Sequence, residues 1–110
     1  MNGPFALTRT VIDREVTRIS PGAYELLMSY SGPVKYVGRS DDDLNARLKQ
    51  WVGDKYSYFE FEYCSSPKAA FEKECTLYHY RGGSEKLDNE IHPQRPANSD
   101  WQCPKCGIFR

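Results

Sequence analysis

Residues 22–47 read GAYELLMSYSGPVKYVGRSDDDLNAR, and this stretch decides the fold. Alternating residues from Ala23 to Tyr30 predict a strand, with Tyr24, Leu26, Met28 and Tyr30 on one face. Ser31-Gly32-Pro33 carries turn chemistry, and Lys35 to Gly38 predicts the return strand of a hairpin. Ser40-Asp41-Asp42-Asp43 reads as a helix start, with a capping side chain and acids at the positive end of the dipole. The helix is expected to run to about Val52, with Leu44, Leu48, Trp51 and Val52 as its apolar stripe.

Working outward, Tyr58 to Cys64 predicts a third strand. Ser66-Pro67 opens a second helix with proline at its first position. That helix is expected to end near Arg81, with Gly82 as the residue that turns the chain away. Residues 1–20 read as an N-terminal extension that includes a short helix. Residues 83–102 have no period and are rich in Asn, Asp, Pro and Ser; so long a loop is normally functional or tied down. The order β-β-α-β-α predicts an α+β domain over residues 21–110, with a three-stranded antiparallel sheet flanked by helices.

Composition narrows the function. A chain of 110 residues makes one domain with a modest core. Its 15 basic and 15 acidic residues cancel, so nucleic acid would have to be bound by a local patch. A mean hydropathy of −0.72 suggests a staple beyond hydrophobic burial. No apolar run is long enough to cross a bilayer and no secretory leader pattern is visible, so the expected location is cytoplasmic, with no membrane partner. In a reducing compartment, the four cysteines Cys64, Cys75, Cys103 and Cys106 read as a metal knuckle before a disulfide framework.

At about 100° per residue, Ala70, Phe71, Leu77 and Tyr78 flank Glu74 on the second helix. Glu74 should therefore face the sheet, while Glu72 points to solvent. An unpaired buried carboxylate costs several kcal/mol or takes up a proton. Glu74 is thus either functional or half of a buried ion pair with Arg47. Arg47 lies at the edge of its own helix's apolar stripe. It reaches inward, with a planar fork suited to phosphate, or it stacks on Trp51 one turn later. Tyr24 and Tyr36 sit near Gly22 and Gly38, glycines that let a backbone or ligand approach. Both tyrosines are equally readable as packing.

Gly22-Ala23-Tyr24 and Tyr36-Val37-Gly38, followed by Arg47, Glu74 and Asn89, resemble the GIY-YIG nuclease family over roughly residues 21–89. The resemblance implies an endonuclease that hydrolyses nucleic-acid phosphodiesters, with DNA as its partner and one magnesium or manganese ion. By that resemblance Glu74 holds the ion and Arg47 stabilises charge on the phosphate. Tyr36 or Tyr24 helps deprotonate or orient the attacking water, and Asn89 positions the substrate or the loop. Lys35, Gly38 and Arg39 are the expected substrate contacts. Two positions depart from the family pattern. Arg47 comes one residue later than the commonest spacing, and Trp51 stands where many members have histidine. Tyr36, Tyr56 and Lys35 are the candidates to replace that histidine. The alternative function is a non-catalytic nucleic-acid- or protein-binding module on the same fold.

Cys103-Pro104-Lys105-Cys106-Gly107 has the spacing of a zinc knuckle, which supplies two of four ligands. Cys75 and His79 are four apart on the second helix, share a face and would complete the set. His92 is the alternative ligand. A structural zinc so held would tie the tail, about residues 90–110, to the helix. Cys64 reads as a buried strand-end thiol.

Overall fold

Four strands and three α-helices, followed by a short 3₁₀ turn at Gly83–Glu85, are built by the described residues 1–109 of the computed structural model. They are β1 (Asn2–Ala6), α1 (Arg9–Glu15), β2 (Gly22–Leu27), β3 (Val34–Ser40), α2 (Leu44–Lys49), β4 (Tyr58–Tyr63) and α3 (Pro67–Tyr80). The strands form one antiparallel sheet in the order β1-β4-β2-β3. The α+β class matches the sequence reading, but the sheet has four strands, not three. The extra strand is β1, so residues read as an extension belong to the sheet. Asn2-Gly3-Pro4 hides that strand, because glycine and proline are turn residues in any pattern reading. Proline is tolerated here because β1 is an edge strand. Phe5 pairs with Phe59 and packs against the Phe59 and Phe61 rings.

Both faces of the sheet are covered, which is why every residue of the central strand β2 is buried. Tyr24, Leu26, Phe59 and Phe61 face α1 and α2, where they meet Ile12, Leu44 and Leu48. Ala23, Leu27 and Val37 face α3 and meet Leu77 and Tyr78. The strand ends at Leu27, earlier than the alternation suggested, so Met28 and Tyr30 are exposed in the hairpin turn.

Local chemistry fixes the helix ends. The Asp43 side chain accepts the Ala46 N–H and caps α2; the Ser66 hydroxyl accepts the Ala69 N–H and caps α3. Gly82 follows α3 in the left-handed region, at φ 97. α2 is shorter than expected and stops at Lys49, so Trp51 sits in the turn that follows. One buried acid was read only as a strand residue: Glu25 is 1% exposed and accepts from Arg81 Nε at 2.7 Å and Nη2 at 3.1 Å. No described helix is long and apolar enough to cross a membrane.

Candidate active site and metal centre

β3 is the other edge of the sheet, and a cleft of about 480 Å³ wraps across it. Tyr24 and Tyr36 line the cleft from the α2 side, Arg39 and Glu74 from the α3 side, and Arg47 from α2 itself. The opening depends on Gly38. Tyr24 and Gly38 are cross-strand partners, and the Tyr24 phenol ring lies where a Cβ on Gly38 would be. Gly22 has a different role: a Cβ there would come within 2.5 Å of the Glu62 carbonyl oxygen and 2.7 Å of Leu44. It allows close packing of β4 and α2 onto β2.

The two arginines of the cleft differ. Arg39 has a partner on every guanidinium nitrogen. Nη1 donates to Glu74 Oε1 at 2.6 Å, Nε to Asp41 Oδ1 at 2.8 Å and Nη2 to the Gln94 carbonyl at 2.8 Å. Its guanidinium also lies over the Phe71 ring, 5.1 Å from the centroid. Arg39 was expected to contact substrate, yet it is committed to the protein. The buried partner of Glu74 is therefore Arg39 and not Arg47. Arg47 is exposed, and among the described residues its guanidinium has no ion-pair or hydrogen-bond partner.

Glu74 is 8% exposed. Burial pushes its carboxyl above the usual carboxylate range, against the opposing pull of Arg39. Oxygen donors suit a hard divalent cation, and magnesium commonly takes one or two carboxylates and completes its shell with water. The cleft presents three carboxylates, Glu74, Asp41 and Asp42, of which Glu74 Oε1 and Asp41 Oδ1 already accept from Arg39.

The tyrosines also separate. Tyr24 is 2% exposed, and its hydroxyl accepts the Trp51 indole N–H at 2.8 Å. Burial pushes its pKa far up, so it stays a neutral phenol. Tyr36 is partly buried, with its ring 4.6 Å from that of Trp51. Burial, and then the charge of Glu74, raise its pKa as well. Burial thus favours the neutral phenol at both positions. Among the described residues the Tyr36 hydroxyl has no hydrogen-bond partner, so it is the one open to a water or phosphate.

Three expected residues lie elsewhere. Asn89 is outside the cleft wall; its Oδ1 accepts the Val37 N–H at 3.0 Å and its Nδ2 donates to the Val37 carbonyl at 2.8 Å. It closes the open edge of β3 between Tyr36 and Gly38. Lys35 points away, with Nζ 3.5 Å from the Lys86 carbonyl, beside Tyr80 and Arg81. Tyr56 donates to Asp88 at 2.8 Å. Neither Lys35 nor Tyr56 lines the cleft, and the Trp51 indole supplies a donor only. Sequence reasoning missed Asp41 as a partner of Arg39, although the two lie two residues apart at the end of a strand. It also missed Gln94, which acts through its backbone carbonyl and so leaves no sequence signal.

A second constellation lies behind α3. The ligand atoms of His79, His92, Cys103 and Cys106 all fall within 4.8 Å of one another, a group that can hold a metal such as zinc. Cys75 is not in this group, and His92 takes its place. Cys75 is buried with Phe71 and Cys103, and burial and Cys103 together push its thiol far up. Its position on the helix wheel, short of His79, turns it into that apolar cluster. The Lys105 N–H donates to Cys103 Sγ at 3.4 Å, and such contacts outweigh burial to lower the Cys103 thiol. Burial, and then His92, hold His79 below its usual value and keep its imidazole neutral.

No protein-family model, no curated protein and no solved structure matches this chain.

Proposed function

We propose that this protein is a GIY-YIG-type endonuclease that hydrolyses DNA phosphodiester bonds with one magnesium or manganese ion. The observation that carries the reading is convergence. Tyr24, Tyr36, Gly38, Arg47 and Glu74, drawn from four elements, line one cleft across an edge strand. Phosphodiester hydrolysis needs charge stabilisation on the non-bridging oxygens, an aligned water and help for the leaving oxygen. Arg47 supplies a permanent, uncommitted charge at the mouth of the cleft. Tyr36 aligns the water through its open hydroxyl, and Tyr24, held by Trp51, shapes the wall beside it. Glu74 would hold the cation, which supplies Lewis-acid stabilisation of the phosphate. Asn89 keeps β3 in place, so that Tyr36 and Gly38 face the cleft together.

A structural zinc on the tail belongs to the same reading. The described thiols Cys64, Cys75, Cys103 and Cys106 are all unbridged, which suits a reducing, cytoplasmic setting.

One observation favours the rival, a non-catalytic binding module: Arg39 already occupies Glu74 Oε1. Nicking of supercoiled plasmid in magnesium or manganese separates the two. The expected result is metal-dependent nicking that falls by about 10²–10³-fold in Glu74→Gln and in Arg47→Ala, the usual effect of removing one stabilising group. The pH profile carries a second signature. Because the Glu74 pKa is raised, its ionised form, and with it the rate, should climb at a pH above the ordinary carboxylate range. DNA binding without nicking in either metal would favour the module. Nicking untouched by both substitutions would refute this cleft.

A further inference from the structure

The metal group behind α3 and the Arg39–Glu74 pair are joined by one short segment. His92 and Gln94 are separated by a single residue, Pro93, which is buried. The His92 Nδ1–H donates to the Pro93 carbonyl at 2.8 Å, and Gln94 Nε2 donates to the His92 carbonyl at 3.1 Å. The Gln94 carbonyl then receives Arg39 Nη2. A second route runs through packing. Phe71, which lies under the Arg39 guanidinium, stacks against Trp101 at 5.7 Å and Phe109 at 5.9 Å; these residues flank the Cys103–Cys106 knuckle.

Two of the separations among the four ligand atoms match those around one tetrahedral ion. A carbonyl oxygen only accepts, so the proton of a neutral His92 is on Nδ1 and its lone pair is on Nε2. That lone pair faces His79 Nε2 at 3.2 Å and Cys106 Sγ at 3.4 Å. Around tetrahedral zinc, with bonds of about 2.0–2.3 Å, nitrogen–nitrogen and nitrogen–sulfur separations come to roughly 3.3 and 3.5 Å. A cation between the two imidazoles would take both Nε2 lone pairs; with the His79 proton on Nε2 instead, the two rings share one N–H···N hydrogen bond.

We infer that zinc held by His79, His92, Cys103 and Cys106 is a positioning element for the cleft: it fixes segment 92–94, so that the Gln94 carbonyl anchors Arg39 against Glu74. The inference rests on the zinc reading above and does not depend on nuclease activity. Arg39 is then a positioning residue, held from behind by the metal site. The ligand set is His₂Cys₂, and Cys75 is a packing thiol beside it.

The test uses the full-length protein, stripped of metal and reloaded with zinc alone. Cobalt(II) in place of zinc should give the strong visible absorption of a tetrahedral thiolate site. That absorption should be lost in His92→Ala and Cys106→Ser and kept in Cys75→Ala. The coupling is read by labelling with phenylglyoxal, an arginine-selective reagent, and mapping the peptides. In the zinc form Arg47 should react and Arg39 should be protected. Removing zinc should raise Arg39 labelling by about ten-fold through local opening, while labelling of Arg81, paired to Glu25 of β2, stays unchanged. A His92→Cys variant, which keeps four ligands, should retain Arg39 protection. Failure to take up zinc would defeat both the zinc reading and the inference. Zinc uptake with unchanged Arg39 labelling would defeat the inference alone. Release of Arg39 and Arg81 together would mean that zinc holds the whole domain, which would also overturn it.

Discussion

The two walls of the cleft each present an arginine, and the two are built for opposite purposes. On the β3–α3 wall, Arg39 is 13% exposed at its side chain and gives all three nitrogens to protein acceptors. On the α2 wall, Arg47 is exposed, with no such partner among the described residues. A buried charge needs this degree of satisfaction, because desolvation otherwise exceeds the attraction of the pair. An exposed charge needs none, and is therefore free to meet a ligand. The general lesson is that a residue's place in a motif says less about its role than the number of partners it already has.

The sharpest way to break the contrast is to remove each arginine in turn. Arg39→Ala should destabilise the fold by about 3–5 kcal/mol, because Glu74 is left buried without its partner. Arg47→Ala should change stability by less than about 0.5 kcal/mol, as for a surface residue with no special contact. Urea unfolding of both variants decides it, and equal losses would erase the distinction between the walls.

Gly38→Ala tests what lies between them. The new Cβ overlaps the Tyr24 ring, which is pinned by Trp51, so the ring or β3 must shift. The expected cost is about 1–3 kcal/mol, typical of overpacking, and thermal melting should register it. An unchanged melting temperature would show that Tyr24 moves easily and does not shape the cleft.

A smaller loss than at Arg39 or Gly38 is expected at Trp51. Trp51→Phe keeps most of the stacking on Tyr36 and removes only the N–H donated to Tyr24, a loss of about 1 kcal/mol. Chemical denaturation alongside Trp51→His, which can restore a donor, separates the hydrogen bond from ring packing. If both variants are equally unstable, packing dominates.

Much of the fold was legible because its signals are local. Ser66-Pro67 and Gly82 mark the ends of α3, and the alternation in residues 58–63 marks β4. β1 was not legible, because Gly3 and Pro4 erase its pattern and only pairing with β4 makes it a strand. In the site, the 3.6-residue period correctly turned Glu74 inward. It said nothing about which arginine would meet it, since Arg39 and Arg47 lie on different elements. The knuckle at Cys103 and Cys106 was visible from spacing alone. The choice of His92 over Cys75 was not, because it depends on the path of a loop with no period.

The sequence by itself determined the order of the elements from β2 to α3, the inward carboxylate and the cysteine pair. Each follows from steric or periodic rules that act over a few residues. Only the tertiary structure decided partnership: Glu74 with Arg39, Tyr24 with Trp51, Asn89 with the edge of β3, and His92 with the cysteines. The physical reason is that a partner across the fold is selected by which buried group would otherwise remain unsatisfied. That is a property of the packed chain as a whole and not of any segment of it.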